Sequence, residues 1–137
     1  MENSIVFVMK NDYSNSGPSV VIEDDGRVCY AYYLSSEGEI LGDVWLYNRC
    51  AAPLEPEWNN STQAPFANSR AYVREDIDFK LPLNHSDINL EWTQAEDRLE
   101  ARIFIDQLLI GVVAEGLKPG FARAAAKDGP LARVLYL

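Results

Sequence analysis

The sequence predicts a mainly β protein, with about eight antiparallel strands in two meanders that form a sandwich or a curled half-barrel. Three observations predict it. Short runs rich in β-branched and aromatic residues recur along the chain, and turn pairs such as Asp25-Gly26 and Glu37-Gly38 separate them. Several of these runs alternate apolar and polar residues with a period of two. Only residues 120–128 have the composition of a short helix. At 137 residues the chain fits one ordinary domain, so residues 1–137 are read as a single globular unit. A chain of about this size buries a sizeable core without a metal or disulfide staple.

Residues 4–10, SIVFVMK, form the first strand, closed by Asn11-Asp12 and the loop cluster Ser14–Pro18. Residues 19–48 read as a three-stranded meander. Asp25-Gly26 between SVVIED and RVCYAYYL is the strongest hairpin signal in the chain, and Glu37-Gly38 marks the next turn. In RVCYAYYL both alternating sets are largely apolar, so this strand is expected to be central and covered on both faces. In EILGDVWLYN, Ile40, Val44 and Leu46 share one face, and Leu41, Asp43, Trp45 and Tyr47 the other. Asp43 interrupts that second face. Either the face is partly open or functional, or Asp43 sits beside Gly42 at a bulge near the start of the strand, which is the simpler account.

Residues 49–69 show no period and contain three prolines. Unstructured loops beyond ~12–15 residues are uncommon and usually functional or disordered. Residues 70–81 then read as a strand with Ile77, Phe79 and Leu81 on one face, ended by Pro82. Residues 88–116 form the second meander. Ile88, Leu90 and Trp92 alternate inward, as do Leu99, Ala101, Ile103 and Ile105, and LLIGVVAEG returns as a buried strand. The alanines and basic residues of 120–128, between Gly120 and Gly129-Pro130, predict one or two helical turns. LARVLYL ends the chain as a strand or an arm.

A catalytic constellation is hard to assemble. His85 is the only histidine, and the neighbouring His85-Ser86-Asp87 cannot form a relay, so Ser86 and Asp87 read as turn or cap residues. Cys29 inside a strand is expected to be an inert thiol, while Cys50 beside Arg49 is the more exposed nucleophile candidate. One histidine and two separated cysteines do not make a zinc site, and no glycine loop fits a phosphate, so no metal or cofactor is expected. Glu23-Asp24-Asp25 and Glu75-Asp76-Ile77-Asp78 read as solvated acidic turns rather than cation sites.

The formal net charge of -9 argues against nucleic acid, which needs basic residues to neutralise phosphate, and against an anionic membrane. The charge is uneven: residues 1–117 carry 8 basic and 20 acidic side chains, and residues 118–137 carry 4 basic and 1 acidic. No stretch near Met1 has the pattern of a signal peptide, so a cytoplasmic location with reduced thiols is the expectation. These features favour a non-enzymatic protein-binding domain, an acidic inhibitor or immunity-type partner of a basic protein. The alternatives are a small-ligand domain with an aromatic-lined pocket, or an enzyme using Cys50 or surface carboxylates. Asp43, Trp45, Tyr47, Glu55, Glu57 and Trp58 are the candidate binding residues. Trp58, in the acidic loop, either caps an open end of the core or anchors a partner. A homodimer through the apolar strand 108–113 is a further possibility if that strand lies at an edge.

Overall fold

A computed structural model of the chain describes residues 6–56 and 66–136. Strands β1 (Phe7–Asp12), β2 (Ser19–Asp24), β3 (Val28–Leu34) and β4 (Ile40–Asn48) form one antiparallel sheet in chain order. Strands β5 (Ile88–Ala95), β6 (Arg98–Ile105), β7 (Leu108–Ala114), β8 (Phe121–Ala122) and β9 (Arg133–Val134) form the second. Only its last pair, β8 with β9, is parallel. The first meander therefore has four strands rather than three, because β1 pairs with β2 along its whole length.

Turn chemistry sets the registers. At the β2–β3 hairpin Gly26 takes φ +88°, and Asp25 Oδ1 accepts the N–H groups of Arg27 and Val28 at 2.9 Å. This places Asp24 opposite Cys29 and Glu23 opposite Tyr30. At the β3–β4 turn, Ser35 Oγ accepts from both Glu37 and Glu39 N–H.

β3 is an interior strand, and four of its first five residues are buried, as its two apolar faces predict. β4 slips register twice, between Tyr33 and Leu34 and between Cys29 and Tyr30 of its partner. The first slip leaves Leu41 unpaired beside Gly42, which is the bulge expected near Asp43. The second leaves Leu46 unpaired and reverses the facing beyond it. Trp45 pairs with Tyr30 and Tyr47 with Cys29, so Trp45 and Tyr47 lie on opposite faces of the sheet, not on one. Strict alternation cannot anticipate this, because one extra residue inverts every side chain after it.

β3 and β4 pack on β7, and β4 also meets β8. Ile22, Ala31 and Val44 of the first sheet and Ala101, Ile103, Ile110 and Val113 of the second are all fully buried in one cluster. At the opposite side, Trp92 of β5 packs edge-on against Tyr33 and Tyr13 and donates to Asn11 Oδ1 at 2.8 Å.

The two sheets are joined by backbone as well as by side chains. β4 pairs with β3 on one edge. On its other edge, Leu41 O accepts from Gly116, Asp43 N–H donates to Leu117 O, Asp43 O accepts from Gly120, and Trp45 N–H donates to Leu131 O, all at 2.7–3.0 Å. Such close approach requires glycine: a Cβ on Gly42 would lie 2.1 Å from the Ala114 carbonyl oxygen, and one on Gly120 would lie 2.2 Å from that of Val112.

Three expectations are corrected. Residues 120–128 do not form a helix: β8 and turns occupy the segment, and among the described residues the helical turns are the short 3-10 turns Arg70–Tyr72 and His85–Asp87. The alanines instead let the chain run against the core. Ala122, Ala124 and Ala125 are buried, and Arg123 N–H donates to Ile110 O of β7, so tertiary hydrogen bonds override helix propensity. Residues 70–81 are likewise not a strand. Val73 makes a single bridge to Ala125, flanked by Arg74 N–H to Ala124 O and Ala126 N–H to Tyr72 O. Its apolar face survives, since Ile77, Phe79 and Leu81 all reach the core. A bidentate pair from Arg123 to Asp78 pins the intervening acidic stretch and holds the Asp78 carboxyl down at about 2. Finally, β7 lies between β6 and β8, so its apolar run is covered within the sheet and offers no edge for pairing across a dimer.

Gly42→Ala is expected to lower stability by about 2–4 kcal/mol, because overpacking here strikes backbone rather than a movable side chain. Urea unfolding checks this; a loss below ~0.5 kcal/mol, the range of a neutral surface change, would show that the junction yields.

Candidate binding surface

A tightly bonded polar cluster is buried in the core. Asp24 is fully buried. Its Oδ2 accepts from Tyr47 O–H at 2.5 Å and from Arg49 Nε at 2.7 Å, and its Oδ1 accepts from Gly26 N–H at 3.0 Å. Arg49 also donates to the Pro82 carbonyl, and its guanidinium lies 5.6 Å from the centre of the Tyr47 ring. Phe79 packs edge-on against that ring. The cluster thus ties β2, β4 and the irregular segment after β4 together. Asp24 is not the solvated turn acid that its neighbours suggest: the hairpin register puts it, unlike Glu23, on the inner face.

Burial raises the Cys29 thiol far above its ordinary range, and the hydrogen bond with Tyr47 only partly opposes that. Burial, then the neighbouring Cys29 and the bond to Asp24, raises Tyr47 in the same way. Both groups stay protonated at neutral pH, and Cys29 supplies no thiolate. Cys50 is half-buried, with its N–H on Arg27 O, and Cys29 and Cys50 are not joined in a disulfide. Asn84 and Asp87 form a capping box around His85 and Ser86, the cap role their sequence implies. Among the described residues, no group of three or more His, Cys, Asp or Glu side chains could hold a metal ion.

The outer face of the first sheet presents a different arrangement. Tyr30 and Tyr32 stand side by side on β3 with rings 6.0 Å apart and 12° from parallel. Glu23 on β2 is opposite Tyr30, and Asp43 on β4 is opposite Tyr32, so a carboxylate flanks the ring pair on either side. Tyr32, Glu23 and Asp43 are each half-buried. Burial first, then the charges of Glu23 and Asp43, push the Tyr32 hydroxyl up to about 12. Burial raises the Asp43 carboxyl as well, with Lys118 opposing. The Asp43 backbone is held at both N–H and C=O by the β4 junction, which fixes where its side chain starts.

Below this patch the face is closed. Trp45 is fully buried, and its Nε1 donates to Asn48 Oδ1 at 2.8 Å. Asn48 exchanges two hydrogen bonds with the Asn68 backbone, and Tyr30 O–H donates to Phe66 O at 2.6 Å. These bonds fasten residues 66–68 to β3 and β4.

Of the predicted binding residues, Asp43 is on the patch and Glu55 is exposed in the loop after β4. Trp45 and Tyr47 serve the core on opposite faces instead of a shared surface. Glu57 and Trp58 lie outside the described residues. Tyr32, and Glu23, which the sequence places in a solvated acidic turn, join Asp43 on the patch. The Asp25-Gly26 hairpin carries the signal that would have found them, because its register puts Glu23 beside Tyr30 and leaves Tyr32 two residues along the same face. Compared with protein-family models, curated proteins and solved structures, the chain matches none.

Asp24→Asn is expected to cost about 3 kcal/mol in urea unfolding, because it leaves Arg49 and Tyr47 without their shared carboxylate; a loss below ~1 kcal/mol would show the cluster to be dispensable. In a spectroscopic pH titration Tyr32 should ionise near 12. The double change Glu23→Gln and Asp43→Asn should lower that midpoint, since removing adjacent negative charge favours the phenolate; an unchanged midpoint would mean that the carboxylates do not act on the ring.

Proposed function

We propose that this chain is a non-enzymatic protein-binding domain for a basic partner, an acidic inhibitor or immunity-type protein, and that it engages the partner through Tyr32, Asp43 and Glu23. The observation that carries the proposal is the aromatic pair bracketed by two half-buried carboxylates on a fixed sheet face. A lysine or arginine side chain fits such a place, with a ring face for its cationic head and a carboxylate within reach. The body of the chain adds long-range attraction: residues 1–117 hold 20 acidic side chains against 8 basic ones. An aromatic-lined ligand pocket has less support, because Trp45 and Tyr47 are buried in the core. Burial keeps the Cys29 thiol protonated, and Cys50, the thiol on which an enzyme reading would rest, is half-buried. A reducing, cytoplasmic setting accords with two cysteines that are not bonded to each other.

Affinity capture from the source cell with mass spectrometry should recover a basic protein whose complex weakens as salt is raised. Asp43→Asn with Glu23→Gln should lower affinity for that protein about tenfold or more by calorimetry. A captured partner that binds the double variant as tightly as the wild type would contradict the proposal.

A further inference from the structure

The outer face of the second sheet carries a groove of about 380 Å³. Its floor is Val112 of β7 and Phe121 of β8, which are cross-strand partners, with Leu109 and Val134 beside them. Tyr136, 83% exposed, forms one wall. Arg102 of β6, opposite Val112, forms the other. Each flank carries an arginine, although the protein as a whole is strongly acidic. Arg98 and Arg102 share a single carboxylate, Glu100, at 2.9 and 3.4 Å. Arg102 Nε is buried with no hydrogen-bond partner, so this guanidinium is under-bonded where it stands. On the other flank, Arg133 lies 4.8 Å from the centre of the Phe121 ring, and its fork is held by the Pro119 carbonyl. Arg102 and Arg133 therefore flank the apolar floor, with Glu100 buried beside Arg102 and Glu91 exposed across the strand pair from it.

We propose that this groove docks a segment of a partner protein that places an apolar side chain next to a carboxylate. The apolar group would cover Val112 and Phe121, and the carboxylate would draw the Arg102 fork outward into a charge-assisted pair. The site is distinct from the Tyr32–Asp43 patch and takes the opposite charge, so it stands or falls separately from the binding of a basic partner.

The test is an NMR titration of the full chain with three capped tetrapeptides: Asp-Leu-Phe-Glu, its neutral counterpart Asn-Leu-Phe-Gln, and its basic counterpart Lys-Leu-Phe-Lys. Saturable shifts at the Leu109, Val112 and Val134 methyls are expected with the acidic peptide. Affinity should be about tenfold weaker for the neutral peptide and weaker still for the basic one. Arg102→Gln should abolish the preference for the acidic over the neutral peptide, and Tyr136→Ala, at an exposed position, should weaken both. No saturable shift, equal binding of the three peptides, or shifts confined to Tyr32 and Asp43 would overturn the proposal. So would groove shifts that follow protein concentration alone, which would assign the groove to a second copy of the chain.

Discussion

The structure depends on a strand with two occupied edges. β4 pairs with β3 on one side, and on the other it exchanges backbone hydrogen bonds with Gly116, Leu117, Gly120 and Leu131. Backbone groups buried in a core need partners. Here the segment after β7 supplies them. That segment reaches β4 only because Gly42 and Gly120 carry no Cβ, and Gly111 likewise makes room for Leu46. The rest of the architecture follows. Residues 120–128 take up the short strand β8 and turns that complete the junction, β7 becomes an interior strand, and residues 72–74 pair with residues 124–126 of the same segment.

The junction also positions the proposed binding patch. Asp43 lies in its middle, with N–H and C=O both engaged, and it faces outward beside Tyr32. A carboxylate presented from backbone held in this way loses less freedom on binding than one on a loose loop, so more of its attraction for a cation remains as affinity. The two outer faces then differ in character. The first sheet shows tyrosines between acids, and the second an apolar floor between arginines.

Much of the fold could be read in the sequence, and for identifiable reasons. The Asp25-Gly26 and Glu37-Gly38 turns and the alternation of 88–105 are local signals, and local signals set β2 to β7. The errors lie where distant parts of the chain decide. Ala122 to Ala126 favour a helix in isolation, but hydrogen bonds to Ile110 and Tyr72 hold them in a short strand and turns. Residues 70–81 have the pattern of a strand, but only Val73 finds a bridge partner, Ala125. The site was read in part for the same reason. Asp43 stood out as an acid in an apolar strand, but the bulge at Leu46, which separates Trp45 from Tyr47, leaves no mark in the pattern. Asp24 and Glu23 are adjacent acids with opposite fates, which follow from the hairpin register rather than from residue type.

Native-state amide hydrogen exchange tests the role of β4 most directly. If its second edge holds the two sheets together, the amides of Asp43, Trp45 and Gly120 should exchange only through global unfolding, as slowly as the interior amides of β3. Exchange of these three by local opening, at free energies well below that of β3, would show that the junction frays independently and that the sheets are held by side-chain packing alone.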